Sequence, residues 1–299
     1  VATRTLESPP RILPLYARAA APMIPGASLL PFVPGRGKDI PELELRLAGV
    51  EAEPAAVAAY AKVCGFPLRD TLPATYPHVL AFPLQMAVMA DGSFPFGAVG
   101  LVHIENRIVQ QRPIGLGEEL ELTVRPTPLK PHLIGKTFSL LTEARAGGEK
   151  VWESTSTMLR RQRGSGTQEA RKPSGERTPQ SGETTEDFVA SGEWRLGGDL
   201  GRRYAAVSGD RNPIHMHSLT AKPLGFPAAI AHGMWTKARA LAALDSRLPD
   251  AFEVDVRFRK PILLPGKVEF GSREGEDGEI EFAVRDAKKH TPHLEGSLR

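Results

Sequence analysis

The chain has 299 residues, enough for two medium domains or one large one, either of which can bury a proper core. Hydrophobic residues make up 41% and charged residues 24%, as in an ordinary globular protein, and 38 Lys+Arg against 35 Asp+Glu leave only +3, too small and dispersed an excess for a nucleic-acid footprint. The lone Cys64 excludes an internal disulfide framework and fits a reducing compartment, so cytoplasm is the expectation.

The first 50 residues carry proline at positions 9, 10, 14, 22, 25, 31, 34 and 41, which predicts an extended, irregular arm over 1–50. Within it, Leu13 to Met23 is interrupted by Pro14 and Arg18 and does not form the apolar run of a signal peptide. The stretch Val79 to Ala90 holds Pro83 and Gln85 and falls short of the roughly 18 apolar residues of a membrane span, so it belongs to a core. A first domain over 51–159 is predicted to hold a helix around Ala55 to Val63 and a core helix over Phe82 to Ala90. Strands are expected at Val99 to Ile104, Leu120 to Val124, Phe138 to Thr142 and Val151 to Met158.

Residues 160–187 contain no aromatic and no aliphatic side chain larger than alanine. Such a segment cannot offset its ordering entropy by burial, which predicts a flexible linker. The second domain, 188–299, should hold a helix over Leu200 to Val207 with Asp199 as N-cap, and a longer helix from Gly233 to Leu248 closed by Pro249. Strands around Val254–Phe258, Val268–Phe270 and Ile280–Val284 follow. His290 and His293 are expected on a mobile surface.

The two halves repeat one another. Tyr60-Ala-Lys-Val-Cys-Gly-Phe66 aligns with Tyr204-Ala-Ala-Val-Ser-Gly-Asp210, and Pro77–Phe82 aligns with Pro227–His232. Arg112-Pro-Ile114 aligns with Lys260-Pro-Ile262. One fold present twice is the economical account.

Tyr204 to His215 (YAAVSGDRNPIH) and Phe226 to Met234 (FPAAIAHGM) resemble the hydratase-2 motif of the MaoC-like dehydratase family. The chain as a whole looks most like the two-hotdog (3R)-hydroxyacyl-thioester dehydratases of actinobacterial type. The resemblance implies an α+β double hotdog, each unit a long helix wrapped by an antiparallel sheet. It also implies a soluble hydro-lyase that interconverts (3R)-hydroxyacyl and trans-2-enoyl thioesters of coenzyme A or acyl carrier protein, with no cofactor and no metal. Gly209 ends a helix and Pro213 keeps Asn212 extended, so Asp210 and His215 are brought together round a tight loop as an acid–base pair. By resemblance the Gly233 N–H, at a helix start, is the oxyanion donor. Asn212, Ser208 and His232 are supporting residues.

Alone, Asp210 would be a cap and His215 a loop histidine; within this motif the functional reading prevails. His215 and His217 make an H-x-H pair, but no third ligand lies near in sequence. In the first half Phe66 stands at the place of Asp210, and Phe82 with Pro83 at that of His232 and Gly233, so that half is expected to be catalytically silent. Phe66, Leu68, Leu72 and Phe82 are expected to line an acyl channel facing the remaining site. The competing functions are a hotdog thioesterase and a non-catalytic acyl-thioester or carrier-protein binding module. No membrane span and no nucleic-acid partner are expected, and a homodimer of the two-domain chain is left open.

Overall fold

The protein is described by a computed structural model over residues 2–21, 33–35, 37–161 and 190–299. The expected linker therefore lies outside the described residues from 162 to 187. The expected irregular arm is instead partly ordered into elements. β1 (Ala2–Leu6) pairs parallel with β2 (Leu43–Val50), and α1 (Ile12–Ala20) lies between them in sequence. Three of the prolines that suggest an irregular arm sit where they do little harm: Pro9 and Pro10 precede α1, and Pro14 lies in its first turn, where a missing N–H is tolerated.

In the first half α2 (Pro54–Cys64) starts where the Glu53 carboxylate accepts from the Ala55 and Ala56 N–H groups, and it ends at Gly65 with φ 83°. α3 (Tyr76–Met89) begins six residues before the expected start at Phe82, and Pro83 lies inside it. Pro83 therefore does not mark a helix start; burial of Tyr76, Ala81, Leu84 and Val88 carries the helix through the proline. The strands β3 (Val102–Gln110), β4 (Leu120–Pro126), β5 (Lys130–His132), β6 (Gly135–Ala146) and β7 (Glu149–Arg161) follow.

The second half opens with β8 (Ala190–Leu196), then α4 (Leu200–Ser208), which Gly209 ends at φ 76° as Gly65 ends α2. Asp199 holds the N-cap position of α4 without a side-chain capping bond. Two single-turn helices, α5 (Pro213–Met216) and α6 (Ser218–Ala221), precede α7 (Gly233–Ala243). α7 stops short of the expected Leu248, the chain tightening into a 3₁₀ turn at Asp245–Arg247. β9 (Phe252–Phe258), β10 (Gly266–Glu274), β11 (Ile280–Asp286) and β12 (Pro292–Leu298) complete the unit. β12 corrects the expectation of a mobile C-terminal surface: Leu294 and Leu298 are buried in it, and the His293 Nδ1–H donates to the Lys260 carbonyl at 2.8 Å.

Among the described residues the strands form one sheet in the order β1-β2-β4-β6-β7-β3-β9-β12-β11-β10-β8, with β5 beside β6. Each half is a hotdog whose strand order mirrors the other across the antiparallel β3–β9 seam. At the offset that aligns Arg112 with Lys260, Arg107 is the counterpart of Asp255, and these two residues face one another in register. The repeat is thus related by a pseudo-twofold axis through that pair. Counterparts also meet in the helix layer, where the Tyr60 and Tyr204 rings lie 6.1 Å apart. No helix among the described residues is long and apolar enough to cross a membrane.

A lysine sits inside the seam. Lys237 on α7 is fully buried, and its Nζ donates to the Asn106 side-chain oxygen at 2.6 Å, the Asn106 carbonyl at 3.1 Å and the Val254 carbonyl at 3.2 Å. Asn106 in turn donates to Ser154 and Ser156 on β7. Burial pushes the Lys237 ammonium well below its usual range, and three acceptors for three N–H donors offset that cost. One side chain therefore ties a second-half helix to the central strand of each half. Lys237→Met should orphan these acceptors and lower the unfolding free energy by about 1–3 kcal/mol. A thermal midpoint equal to that of the wild type would show that the network adds no net stability.

Candidate active site

α4 ends at Gly209, and the chain turns sharply into α5. In that turn the Asp210 carboxylate Oδ1 accepts from the Asn212 N–H at 3.1 Å and from the Tyr16 hydroxyl at 2.7 Å, while the Asp210 N–H donates to the Ser208 hydroxyl at 3.2 Å. The Asn212 side chain accepts from the Ile214 N–H at 3.4 Å and so caps the turn that carries His215. His215 donates its Nδ1–H to the Ile230 carbonyl at 2.8 Å, which fixes the tautomer and leaves Nε2 unprotonated. His232 donates Nε2–H to the Asp210 carbonyl at 3.0 Å and stacks on His215, ring centroids 3.7 Å apart.

One donor atom from each of Asp210, His215 and His232 lies within 4.8 Å of the others. The two imidazole planes are inclined by only 24°, so their in-plane lone pairs do not converge on one ion at the roughly 2.0–2.1 Å that a metal bond needs. The cluster fits proton transfer better than metal binding. His217, the other member of the H-x-H pair, caps no helix with its side chain and lies outside the cluster.

Gly233 is the first residue of α7, where geometry leaves the leading N–H groups without intrahelical acceptors. Its lack of a side chain serves packing, because a Cβ there would come within 3.1 Å of the Phe258 ring. Gly201 serves the site more directly. A Cβ on Gly201 would fall 1.9 Å from the His215 carbonyl oxygen, so α4 and α5 can approach only because position 201 is bare.

Burial pushes the Asp210 carboxyl up, but the His232 and His215 imidazoles, the Tyr16 hydroxyl and the Asn212 N–H outweigh it and hold it below the usual carboxylate range. Burial pulls His215 down despite Asp210, and it pulls His232 down to about 3 with the help of neighbouring His215. The resting site is thus an ionised carboxylate beside neutral imidazoles.

Tyr16 is the residue that sequence reasoning misses. Its hydroxyl donates to Asp210 and accepts from the Arg211 N–H at 2.8 Å. Ile12, Leu15, Tyr16 and Ala19 follow the 3-4-7 spacing of a helix face, and that stripe is the signal the prolines obscure. Burial first, and then the Asp210 charge, push the Tyr16 hydroxyl far above its usual value, so it stays a donor.

These groups open into a cavity of about 470 Å³. Of the four first-half residues expected to line an acyl channel, only Phe82 lines it. Phe66 and Leu72 are buried elsewhere, and Leu68 is 74% exposed. The first-half wall is instead formed by Phe82, Met86 and Met89 together with His78, Gln85 and His103. Burial pulls His78 down to about 4 and His103 to about 3.

Comparison with known proteins finds a MaoC-like domain over residues 184–294. The chain is 38% identical, over 91% of its length and 94% of the relative's, to 3-hydroxyacyl-thioester dehydratase X of Mycobacterium tuberculosis. The crystal structure of that enzyme superposes with a TM-score of 0.74 at 36% identity, covering 86% of this chain and 99% of the other. A MaoC-like dehydratase from Phytophthora capsici shares the fold at 18% identity, with a TM-score of 0.68 over 87% of this chain and 95% of that one.

Two expectations follow. Gly201→Ala should force His215 out of place and lower turnover at least about tenfold in a folded protein, as misplacing a reacting group does; circular dichroism and turnover measured together check this. Stability should depend on pH through the buried histidines. His78, His103 and His232 have folded-state values below the unfolded value of roughly 6.5, so above about pH 6.5 both states are neutral and nothing is lost. Below it the unfolded chain takes up protons that the folded chain refuses, and stability falls towards pH 4. A melting temperature that stays constant from pH 7 to pH 4.5 would contradict neutral burial.

Proposed function

The chain belongs to the MaoC-like dehydratase family, which makes it a hydro-lyase, and from that premise we propose that Asp210 and His215 interconvert (3R)-hydroxyacyl and trans-2-enoyl thioesters. One observation carries the reading. Asp210 has its Oδ1 occupied by two donors, and His215 has its Nδ1–H committed to a carbonyl, so Asp210 Oδ2 and His215 Nε2 remain as two neighbouring acceptors.

A water between them can donate one proton to each. In hydration, one of its protons passes to the pair as the oxygen bonds to C3 of the enoyl group, and the pair returns that proton to C2. Dehydration runs the same steps backwards: the pair takes the C2 proton and delivers it to the departing hydroxyl. No proton is gained or lost overall, and neither group needs to be charged differently at the start and the end. Charge that builds on the thioester oxygen meets the Gly233 N–H, where the helix start favours an anion. Ser208, Asn212 and His232 position the pair: the first two hold the turn by its backbone, and the third holds the Asp210 carbonyl and the face of the His215 ring.

The placement of these residues supports a division of labour between the halves. The second hotdog, 188–299, supplies the pair, and the first, 51–159, lacks an equivalent and supplies the opposite wall of the cavity. The exposed Arg161, Arg257, Arg259 and Lys260 also line the cavity, and their charge suits the phosphates of a phosphopantetheine carrier, whether coenzyme A or acyl carrier protein. All of these groups come from one chain.

Spectrophotometric hydration of trans-2-enoyl-CoA, repeated with the enoyl chain on acyl carrier protein, tests the activity and separates the two carriers. A (3R) product is expected, and an (3S) product would overturn the assignment. Asp210→Asn and His215→Ala should each lower turnover by about 10²-fold or more. The double variant should be little worse than either single one, because the two act on one water. Additive losses in a folded double variant would contradict the shared pair.

Tyr16→Phe isolates the arm. It removes a hydrogen bond to a charged group, worth about 1.5–3 kcal/mol, so turnover should fall by about 10- to 100-fold. The acid limb of the pH profile should also move to higher pH, since the Asp210 carboxyl loses a group that holds it low. A loss of turnover with an unmoved acid limb would assign Tyr16 to packing alone.

A further inference from the structure

The positive excess that looks dispersed along the sequence is gathered where the cavity opens. Arg161, Arg257, Arg259 and Lys260 are exposed and line it beside one exposed carboxylate, Glu105. That balance alone equals the net charge of the whole chain, +3. On the second-half lip the charge is partly answered, since Arg257 pairs with Glu105 at 3.6 Å and Arg259 with Glu295 at 2.6 Å. On the first-half lip it is not. Arg161 has no carboxylate partner among the described residues, and the exposed Lys130 and Lys136 beside it have none either.

The first-half lip is the hairpin of β5 and β6. His132 pairs with Gly135 across a two-residue turn, and Gly135 pairs on its other side with Arg161 of β7. Position 135 has to be bare, because a Cβ there would fall 2.0 Å from the Arg160 carbonyl oxygen. The hairpin is therefore seated against the end of β7, and its His132 and Ile134 line the cavity with Arg161. Lys130 and Lys136 flank the turn, and no acidic residue occurs from Leu122 to Thr142. The turn itself is Leu133-Ile134, where two-residue hairpins ordinarily place Asn, Asp or Gly. Ile134 is half-buried against the cavity, whereas Leu133 is 90% exposed.

The phosphates of a free coenzyme A meet the cations that line the cavity. Lys130, Leu133 and Lys136 do not line it, and an exposed leucine framed by lysines suits an apolar spot within an acidic surface. A carrier protein brings such a folded surface along with its pantetheine arm, and that surface must lie against whatever surrounds the mouth. Resting on the dehydratase reading, we propose that the β5–β6 hairpin is a docking element for the acidic face of an acyl carrier protein. Leu133 seats in an apolar gap of that face, and Lys130 and Lys136 meet its carboxylates. The half without an acid–base pair recognises the carrier, and the other half performs the chemistry. Charges at the edge of an interface act on encounter and on choice of partner more than on the bound state, so the hairpin governs kcat/KM for carrier-bound substrate and leaves kcat alone.

The test compares one trans-2-enoyl chain on the organism's own acyl carrier protein with the same chain on coenzyme A, using the full-length protein. Lys130→Glu with Lys136→Glu should lower kcat/KM for the carrier-bound chain about tenfold or more, through KM, and leave the coenzyme A substrate within about twofold. Leu133→Asp should act in the same direction. Added salt should weaken the wild type on the carrier-bound chain and narrow its lead over the double variant. Binding of decanoyl carrier protein, which is saturated and cannot react, is measured by calorimetry with decanoyl-CoA as reference and should follow the same order. Should the double variant not fold, Lys130→Gln with Lys136→Gln makes the comparison with the charges removed. A wild type that does not bind the carrier protein, equal losses with both carriers, or no loss with the carrier protein would each overturn the docking role. Calorimetry needs no catalysis, so a protein that binds decanoyl carrier protein as expected but hydrates neither enoyl substrate would count against the dehydratase reading alone.

Discussion

The Lys237 ammonium, enclosed in the seam between β3 and β9, is the constraint on which the remaining architecture depends. A lysine is rarely buried without an ion partner, and here it is held by oxygens from Asn106 and Val254, one on each central strand. The seam thereby becomes more than a run of backbone pairing. The ammonium bridges the two strands whose pairing sets Arg107 against Asp255, on the pseudo-twofold axis of the two hotdogs. Above the seam the Trp235 indole donates across the halves to the Val63 carbonyl, so α7 is fixed to the first unit from two sides. The start of that same helix carries Gly233, and the position of the candidate donor follows from how the halves are joined.

Fixing the halves in this way makes them unequal partners in one cavity. Two identical hotdogs across such an axis would present two equivalent clefts. In this chain the second-half cleft holds the Asp210–His215 turn, and the first half offers a wall. That wall is neither empty of polar groups nor a simple apolar tube, since His78, Gln85 and His103 stand among methionines and Phe82. The first half has no counterpart of Asp210 and His215 in its sequence, and other side chains form its wall.

The N-terminal arm adds a third contribution. α1 reaches the site only because it packs against α3 of the first half and passes over Gly209, where a side chain would collide with Ile12. Tyr16 then shares its hydroxyl between the Asp210 carboxylate and the Arg211 N–H. Every part of the described chain thus meets at Asp210: the arm through Tyr16, the second hotdog through His215 and His232, and the first through the opposite wall. Close packing at bare positions such as Gly201 makes the geometry unforgiving, because neighbouring backbones there leave no room to adjust.

By itself the sequence determined the repeat and the loop that carries Asp210 and His215, because these rest on local signals: glycine ending a helix, proline after Asn212, and helical and alternating periodicity; the hotdog fold was legible only through the resemblance of that loop's motif to the MaoC-like family. The same local signals misled where burial overrode them, as at Pro83, which α3 passes through, and at β12, whose pairing with β9 and β11 holds a segment that resembles a free end. Only the tertiary structure decided which residues far apart in the chain share a surface. Tyr16 lies 194 positions from Asp210, Lys237 lies 131 from Asn106, and His103 faces a cavity whose chemistry is more than a hundred residues away. No periodicity encodes such meetings, because they are set by the sum of packing across both halves, and a side chain's neighbours in space become definite only when the sheet has closed around the helices.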